Sequence, residues 1–355
     1  MPRGEIHAHF LRVSERSDGD GVSSALRERE GGDTSPQDRG TARLTTSGAW
    51  TRRNHQREQH RDCTETHTMS DTVSGVQEGV VPHTSGTTPS LSFERERLES
   101  NAPPLLSAAW RHLVLRNHIV DPALLAPFVP AGCELDPFAG EHWISLVGFL
   151  FEDLAVHGVC IPFHRRFEEV NLRFYVRHNA SDGPRRGVVF VRELAASMLI
   201  AWAAKAIYNE PYLALPMDHE LERVDGEVTR ARYTWQHGAV PGELGATLAG
   251  PLAPLRHGSL EEFLVEHYWG YNLQPDGGTL EYAVEHPPWR VAPTHPAVFA
   301  GDAETLYGAQ FAAVLAREPD ASVFAEGSAI GVHAGRPIAD HGEPPSSSRG
   351  FGAHG

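Results

Sequence analysis

From Leu105 to Ile338, short runs of branched and aromatic residues are separated by Asp-Gly turns, and this punctuation constrains the fold more than any other feature of the chain. VNLRFYVRH (Val170 to His178) and GVVFVREL (Gly187 to Leu194) flank a segment containing Asp182-Gly183-Pro184. Asp-Gly between two alternating runs reads as a hairpin, because both residues tolerate the positive φ that tight hairpin turns require. Glu222 to Trp235 turns in the same way at Asp225-Gly226, and TLEYAVEHPPW (Thr279 to Trp289) follows Asp276-Gly277-Gly278. Trp110 to Leu115 and HWISLVGFLFEDL (His142 to Leu154) add two more strands. Helices are fewer. Asp121-Pro122 opens one through Phe128, with Asp as N-cap and Pro in the first turn. Ala-rich Leu194 to Tyr208 predicts a second, ending before Pro211. Ser259 and Glu262 form a capping box for a third, to about Tyr268. Asp302 to Leu315 is a fourth. The expected fold is mainly β: an antiparallel barrel or strongly curved sheet with about four helices packed outside or across an end.

The ends of the chain read differently. Residues 1–104 are crowded with Arg, Glu, Gly, Ser, Thr and His, with almost no apolar periodicity, and cannot bury enough apolar surface to offset the chain entropy lost on ordering. They are expected to be a disordered extension. Met69, opening MSDTVSG, is a candidate true start, which would make residues 1–68 a start-site artefact. Residues 339–355, rich in Gly, Pro and Ser, are expected to be a disordered tail. One barrel domain of residues 105–338 lies between.

The formal charge of −15 excludes an electrostatic footprint for nucleic acid. No apolar run approaches a membrane span, and no signal-peptide pattern is present, so a cytoplasmic protein with no membrane or nucleic-acid partner is expected. A homo-oligomer is open. The cysteines show no CxxC spacing, and the histidines form neither HExxH nor His-x-His, so neither a metal nor any other cofactor is expected. GxSxG, P-loop and GxGxxG motifs are absent.

Candidate chemistry concentrates in FEEVNLRFYV (Phe167 to Val176). Alternation along a strand places Val170, Leu172, Phe174 and Val176 on one face and Glu169, Asn171, Arg173 and Tyr175 on the other. The polar face suits solvent on an ordinary half-buried strand. It equally suits a polar lumen, with Arg173 holding a carboxylate and Glu169 acting as acid or base. A second cluster, EHYWGY (Glu266 to Tyr271), offers His267, Tyr268 and Tyr271 either as core packing or as an aromatic-walled pocket. Lys205 is the one lysine of the chain and hence the one side-chain amine for a Schiff base. Its place on an apolar helix also fits a lysine that merely snorkels at a helix edge.

Taken in order, WRHLVLRN, HWISLVGF, FEEVNLRFYV, GVVFVREL, IYNEPYLALPM, EHYWGY, EYAVEHPPWRV and SVFAEGSAIGVH resemble the YqjF-like uncharacterised proteins, a domain-of-unknown-function family grouped with the acetoacetate decarboxylase-like superfamily. The resemblance spans about Leu105 to Ile338. It implies a curved barrel or cone with a ligand cavity, and a lumenal role for Glu169. It does not carry over the decarboxylase lysine, which follows a proline in a Gly-aromatic-Pro-Lys-Lys motif. Here Pro211 is followed by Tyr212 and Leu213, and Lys205 lies six residues earlier.

Three readings follow. The first is a barrel that binds a small acidic or carbonyl-containing molecule, with Glu169 and Arg173 as catalytic candidates and Asn171, Tyr175, His267, Tyr268 and Tyr271 as binding candidates. The second is a non-enzymatic binding or sensing module. The third is a Lys205-dependent decarboxylase or aldolase-type lyase.

Overall fold

The computed structural model describes residues 103–160, 165–198 and 209–338. Ten strands carry the architecture: β1 Leu106–Val120, β2 His142–Val156, β3 Phe167–Ala180, β4 Gly183–Ala195, β5 Met217–Val224, β6 Glu227–His237, β7 Val240–Thr247, β8 Trp269–Leu273, β9 Thr279–Glu285 and β10 Ala321–Val332. Seven of them close a ring in the order β10-β1-β2-β3-β4-β8-β9, and β9 returns to β10 through Val284 opposite Val332. Closure satisfies the edges that an open sheet would leave unpaired. The expectation of a purely antiparallel barrel needs one correction. β4 and β8 run parallel, with Trp269 opposite Gly187 and Gly270 opposite Val188, because the chain crosses over between them instead of turning back in a hairpin.

The three Asp-Gly hairpins form where expected. β3 and β4 pair from Glu169 opposite Ala195 to Ala180 opposite Gly183, so that turn is Ser181-Asp182 with Gly183 opening β4; β5 and β6 meet at Asp225-Gly226, and β8 and β9 meet across Asp276-Gly277-Gly278. A second sheet, in the order Val298–Ala300, β7, β6, β5, covers the outside of the barrel wall at β2. The approach is close enough that a Cβ on Gly148 of β2 would stand 2.8 Å from the Tyr233 ring and 3.0 Å from Leu244. Tyr233 also donates a hydrogen bond to the His112 carbonyl at 2.7 Å, where a bulge in β1 places His112 at φ +58°.

Two apolar layers result. Val114, Leu146, Val170, Leu172 and Phe174 point outward and pack with Ala231, Tyr233 and Leu244 of the second sheet. Leu113, Val147, Phe149, Phe151, Val188 and Val284 point inward and line the barrel.

The helices depart from expectation in four places. The Asp121-capped helix is an α-turn Pro122–Leu125 continued as a 3-10 turn Ala126–Phe128, with Asp121 accepting from the Ala123 N–H at 2.8 Å. The Ser259 helix, Leu260–Val265, stops short of Tyr268, because Trp269 already enters β8. The Asp302 helix is two, Ala303–Tyr307 and Ala309–Leu315, broken at Gly308 with φ +93°. In the expected Ala-rich helix, Leu194 and Ala195 belong to β4 instead, and its residues from 199 to 208, Lys205 among them, lie outside the described residues. No helix among the described residues is long and apolar enough to cross a membrane.

Candidate functional site

β3 is buried from Phe167 to Val176 without a break. Its apolar face is covered by the second sheet, so its other face has only the barrel interior to meet. Glu169, Asn171 and Arg173 accordingly line an internal cavity of about 150 Å³. The apolar part of the wall comes from Trp110, Phe149, Phe151, Phe167, Phe190 and Trp269.

The polar part is unusual for a buried volume of this size: it holds three glutamates. Glu169 comes from β3. Glu193 comes from β4, where it pairs across the ladder with Asn171. Glu210 lies just ahead of the short strand Tyr212–Ala214, which runs parallel to β4 with Tyr212 opposite Glu193. All three side chains line the cavity and all are buried. Two phenols reach them. Tyr212 donates to Glu169 Oε2 at 2.8 Å, and Tyr282 of β9 donates to Glu210 Oε1 at 2.5 Å. Asn171 Nδ2 donates to Glu169 Oε1 at 3.1 Å. Among the described residues, Glu193 Oε2 has no hydrogen-bond partner.

Burial is the largest influence on these carboxyls, and their mutual repulsion adds to it. Desolvation pushes Glu169 up to about 8, against the opposing hydrogen bonds from Asn171 and Tyr212 and with further upward pressure from Glu210. Desolvation and the charges of Glu210 and Glu169 hold Glu193 well above the usual carboxylate range. Glu210 rises to about 7 through burial, moderated by hydrogen bonds from Tyr282 and Asn272. At neutral pH the trio therefore carries protons. Tyr212 is pushed up by burial and by the same carboxyls, so it remains a phenol.

Arg173 and His267 also line the cavity. Arg173 Nη2 donates to the Leu264 carbonyl at 3.0 Å, fixing the guanidinium, while its Nε has no partner. The His267 ring packs on Tyr175 with centroids 4.7 Å apart, and neither ring nitrogen has a partner. Burial, with Arg186 and Arg173 nearby, holds His267 well below its ordinary range, so its ring is neutral. A neutral imidazole, a guanidinium Nε and the free Asn171 Oδ1 are thus orphaned beside the same cavity.

Of the residues singled out from the sequence, Glu169, Asn171, Arg173 and His267 meet at the cavity. Tyr175, Tyr268 and Tyr271 do not line it. The Tyr175 hydroxyl is shared with Ser145 and donates to Leu264 O at 3.2 Å. Tyr268 donates to Glu266 and stacks on His286 at 4.8 Å. Tyr271 donates to Glu281 Oε2 at 3.2 Å within the core. Sequence reasoning missed Glu193, Glu210 and Tyr212. Glu193 did carry a signal, as an acid inside the strand GVVFVREL beside Leu194; Glu210 and Tyr212 flank Pro211 in a segment with no periodicity to mark them. Outside the barrel, Glu168, Asp218 and His219 bring ligand-type atoms within 4.8 Å of one another, and His219 Nδ1 lies 2.6 Å from Glu168 Oε1.

Fold and site together define a closed, mainly β barrel with an internal cavity held between buried carboxyls and aromatic walls. The chain belongs to the DUF2071 family, described as an uncharacterized conserved protein, whose family model matches residues 107–329. It is similar to the uncharacterized protein YqjF of Bacillus subtilis (strain 168), at 29% identity over 117 residues; the match covers 33% of this chain and 47%, about half, of that relative. Among solved structures, it is similar to the enduracididine biosynthesis enzyme MppR complexed with pyruvate (12% identity, TM-score 0.49, covering 68% of this chain and 94% of that one). It is also similar to acetoacetate decarboxylase from Legionella pneumophila subsp. pneumophila str. Philadelphia 1 (11% identity, TM-score 0.47, covering 73% and 99%). An acetoacetate decarboxylase-like enzyme from Sphingomonas wittichii RW1 is a further neighbour (14% identity, TM-score 0.45, covering 67% and 94%).

Proposed function

We propose that this protein binds a small, largely apolar molecule inside the barrel and exchanges a proton with it through the Glu169–Glu193–Glu210 group. The observation that carries the reading is the trio itself: three buried carboxyls around one cavity, two of them hydrogen-bonded to phenols and one with a free oxygen. Carboxyls raised toward neutrality can give a proton and take it back near physiological pH, which is what general acid–base work requires. Glu169 is the acid–base candidate with the best-defined partners. Arg173 and His267 supply the opposite polar wall, where an unpartnered Nε and a neutral imidazole suit a carbonyl oxygen.

Of the two ligand types expected from the sequence, the carbonyl compound is the better match. Among the described residues, a carboxylate would meet three glutamates against one arginine. The binding or sensing alternative uses the same cavity without turnover, and the absence of any product from a ligand that does bind would favour it. No step is routed through Lys205; borohydride trapping with β-keto acids tests that reading separately.

The test is a thermal-shift screen of small carbonyl compounds on the full-length wild type and on Arg173→Ala. Hits that stabilise the wild type and fail on Arg173→Ala support the reading. Equal stabilisation of both proteins contradicts it.

A further inference from the structure

We infer that the carboxyl end of the cavity is a site for a basic nitrogen, so that the ligand is a compact apolar molecule bearing an amine or amidine that binds as its cation against Glu169, Glu193 and Glu210. This rests on the cavity being a small-molecule site and adds the charge of the molecule it takes.

The hydrogen-bond inventory favours it. Tyr212 and Asn171 donate to Glu169, Tyr282 and Asn272 to Glu210, and the Tyr212 hydroxyl also reaches Glu193. Among the described residues, no donor reaches the buried Glu193 Oε2. A buried acceptor without a partner is costly, and an ammonium carries three donors and no acceptor. The charge inventory agrees. The titratable and charged groups facing this end are Glu169 and Arg173 of β3, Glu193 of β4, Glu210 and Tyr212 of the following segment, Tyr282 of β9, and His267. Among the described residues Arg173 is the one cation lining the cavity, and its Nη2 is held on the Leu264 carbonyl. His267 is neutral. An incoming cation would therefore supply the positive charge that lets the trio ionise, and binding would release protons to solvent.

Size limits the rest of the molecule. A cavity of about 150 Å³ with aromatic walls matches in volume an engineered apolar cavity known to admit benzene. One ring or a short branched chain beside the charged nitrogen fills it.

Isothermal titration calorimetry of the full chain with benzylamine, benzyl alcohol and benzoate tests the inference with probes of one shape and three charges. Benzylamine is expected to bind at least about tenfold more tightly than benzyl alcohol, the factor that one charge-assisted hydrogen bond supplies. Its heat is expected to vary with the ionisation enthalpy of the buffer in the sense of proton release. Glu193→Gln is expected to lose that advantage and the proton release with it, while an unchanged circular-dichroism spectrum and cooperative melt report that the variant is folded. Equal binding of amine and alcohol, or tighter binding of benzoate, would overturn the cation and leave the cavity reading standing. Failure of all three probes to bind would overturn the cavity reading as well.

Discussion

The hydroxyl of Tyr212 lies 2.8 Å from Glu169 Oε2, joining the segment after β4 to the polar face of β3 inside the barrel. Glu169 is buried and Tyr212 half-buried, so the bond is largely shielded from water. Tyr212→Phe removes the donor without altering the ring. Urea denaturation should show a loss of about 1–2 kcal/mol, and the stabilisation by any cavity ligand should shrink with it. A variant as stable as wild type, with undiminished ligand response, would mean that the bond organises nothing.

The raised carboxyls set the sign of a pH effect. The unfolded chain releases the Glu169 proton near the ordinary carboxylate pKa, whereas the folded chain keeps it to about 8. Between those values the folded state binds more protons, so this group costs stability progressively as pH rises through that window, and the cost is complete above about 8. Glu169→Gln removes the titration. Denaturation across the window should show the variant gaining on wild type as pH increases. A constant difference would mean that Glu169 ionises normally.

Gly270 of β8 sits directly opposite Tyr282 of β9, and a Cβ at Gly270 would lie 2.1 Å from Tyr282 Cζ. Gly270→Ala must therefore displace the ring whose hydroxyl holds Glu210. Overpacking of this kind costs about 1–3 kcal/mol. The expected outcome is that destabilisation together with loss of ligand binding. Retained binding at full affinity would show that Tyr282 is dispensable to the site.

Arg116, which does not line the cavity, gives a contrast. It is buried, and its guanidinium donates to the carbonyls of Ala297, Leu315 and Arg317, tying β1 to the segment ahead of Val298–Ala300 and to the end of the last helix. Arg116→Ala leaves those carbonyls short of donors and should cost about 2–4 kcal/mol. Ligand affinity, measured well below the lowered melting temperature, should be unchanged. A fall in affinity would tie this corner to the cavity.

The barrel was legible because Asp-Gly turns and branched runs are local signals. Asp182-Gly183, Asp225-Gly226 and Asp276-Gly277 each need only their flanking residues to specify a hairpin. The parallel junction of β4 and β8 was not legible, because it joins segments about eighty residues apart with no turn between them to announce it. Site residues divide along the same line. Glu169, Asn171 and Arg173 share one strand, so alternation alone groups them. Glu193 and Glu210 join them only through cross-strand pairing and the return of Tyr212–Ala214 alongside β4. The solvent-facing alternative for that strand face fails because a second sheet closes the other side, a long-range fact that no periodicity encodes. Tyr268 and Tyr271 look like pocket residues in sequence, yet the end of the Leu260–Val265 helix and the start of β8 turn them to Glu266 and Glu281.

Protons held by the cavity carboxyls at neutral pH are what the proposed chemistry requires first. A ¹³C NMR titration of the glutamate carboxyls in wild type and Glu169→Gln reads them individually. The prediction is that carboxyl signals from the cavity remain protonated well above the ordinary glutamate range, and that one of them disappears in the variant. If every glutamate instead completes its titration within that ordinary range, the trio holds no protons at neutral pH and the proposed chemistry is contradicted.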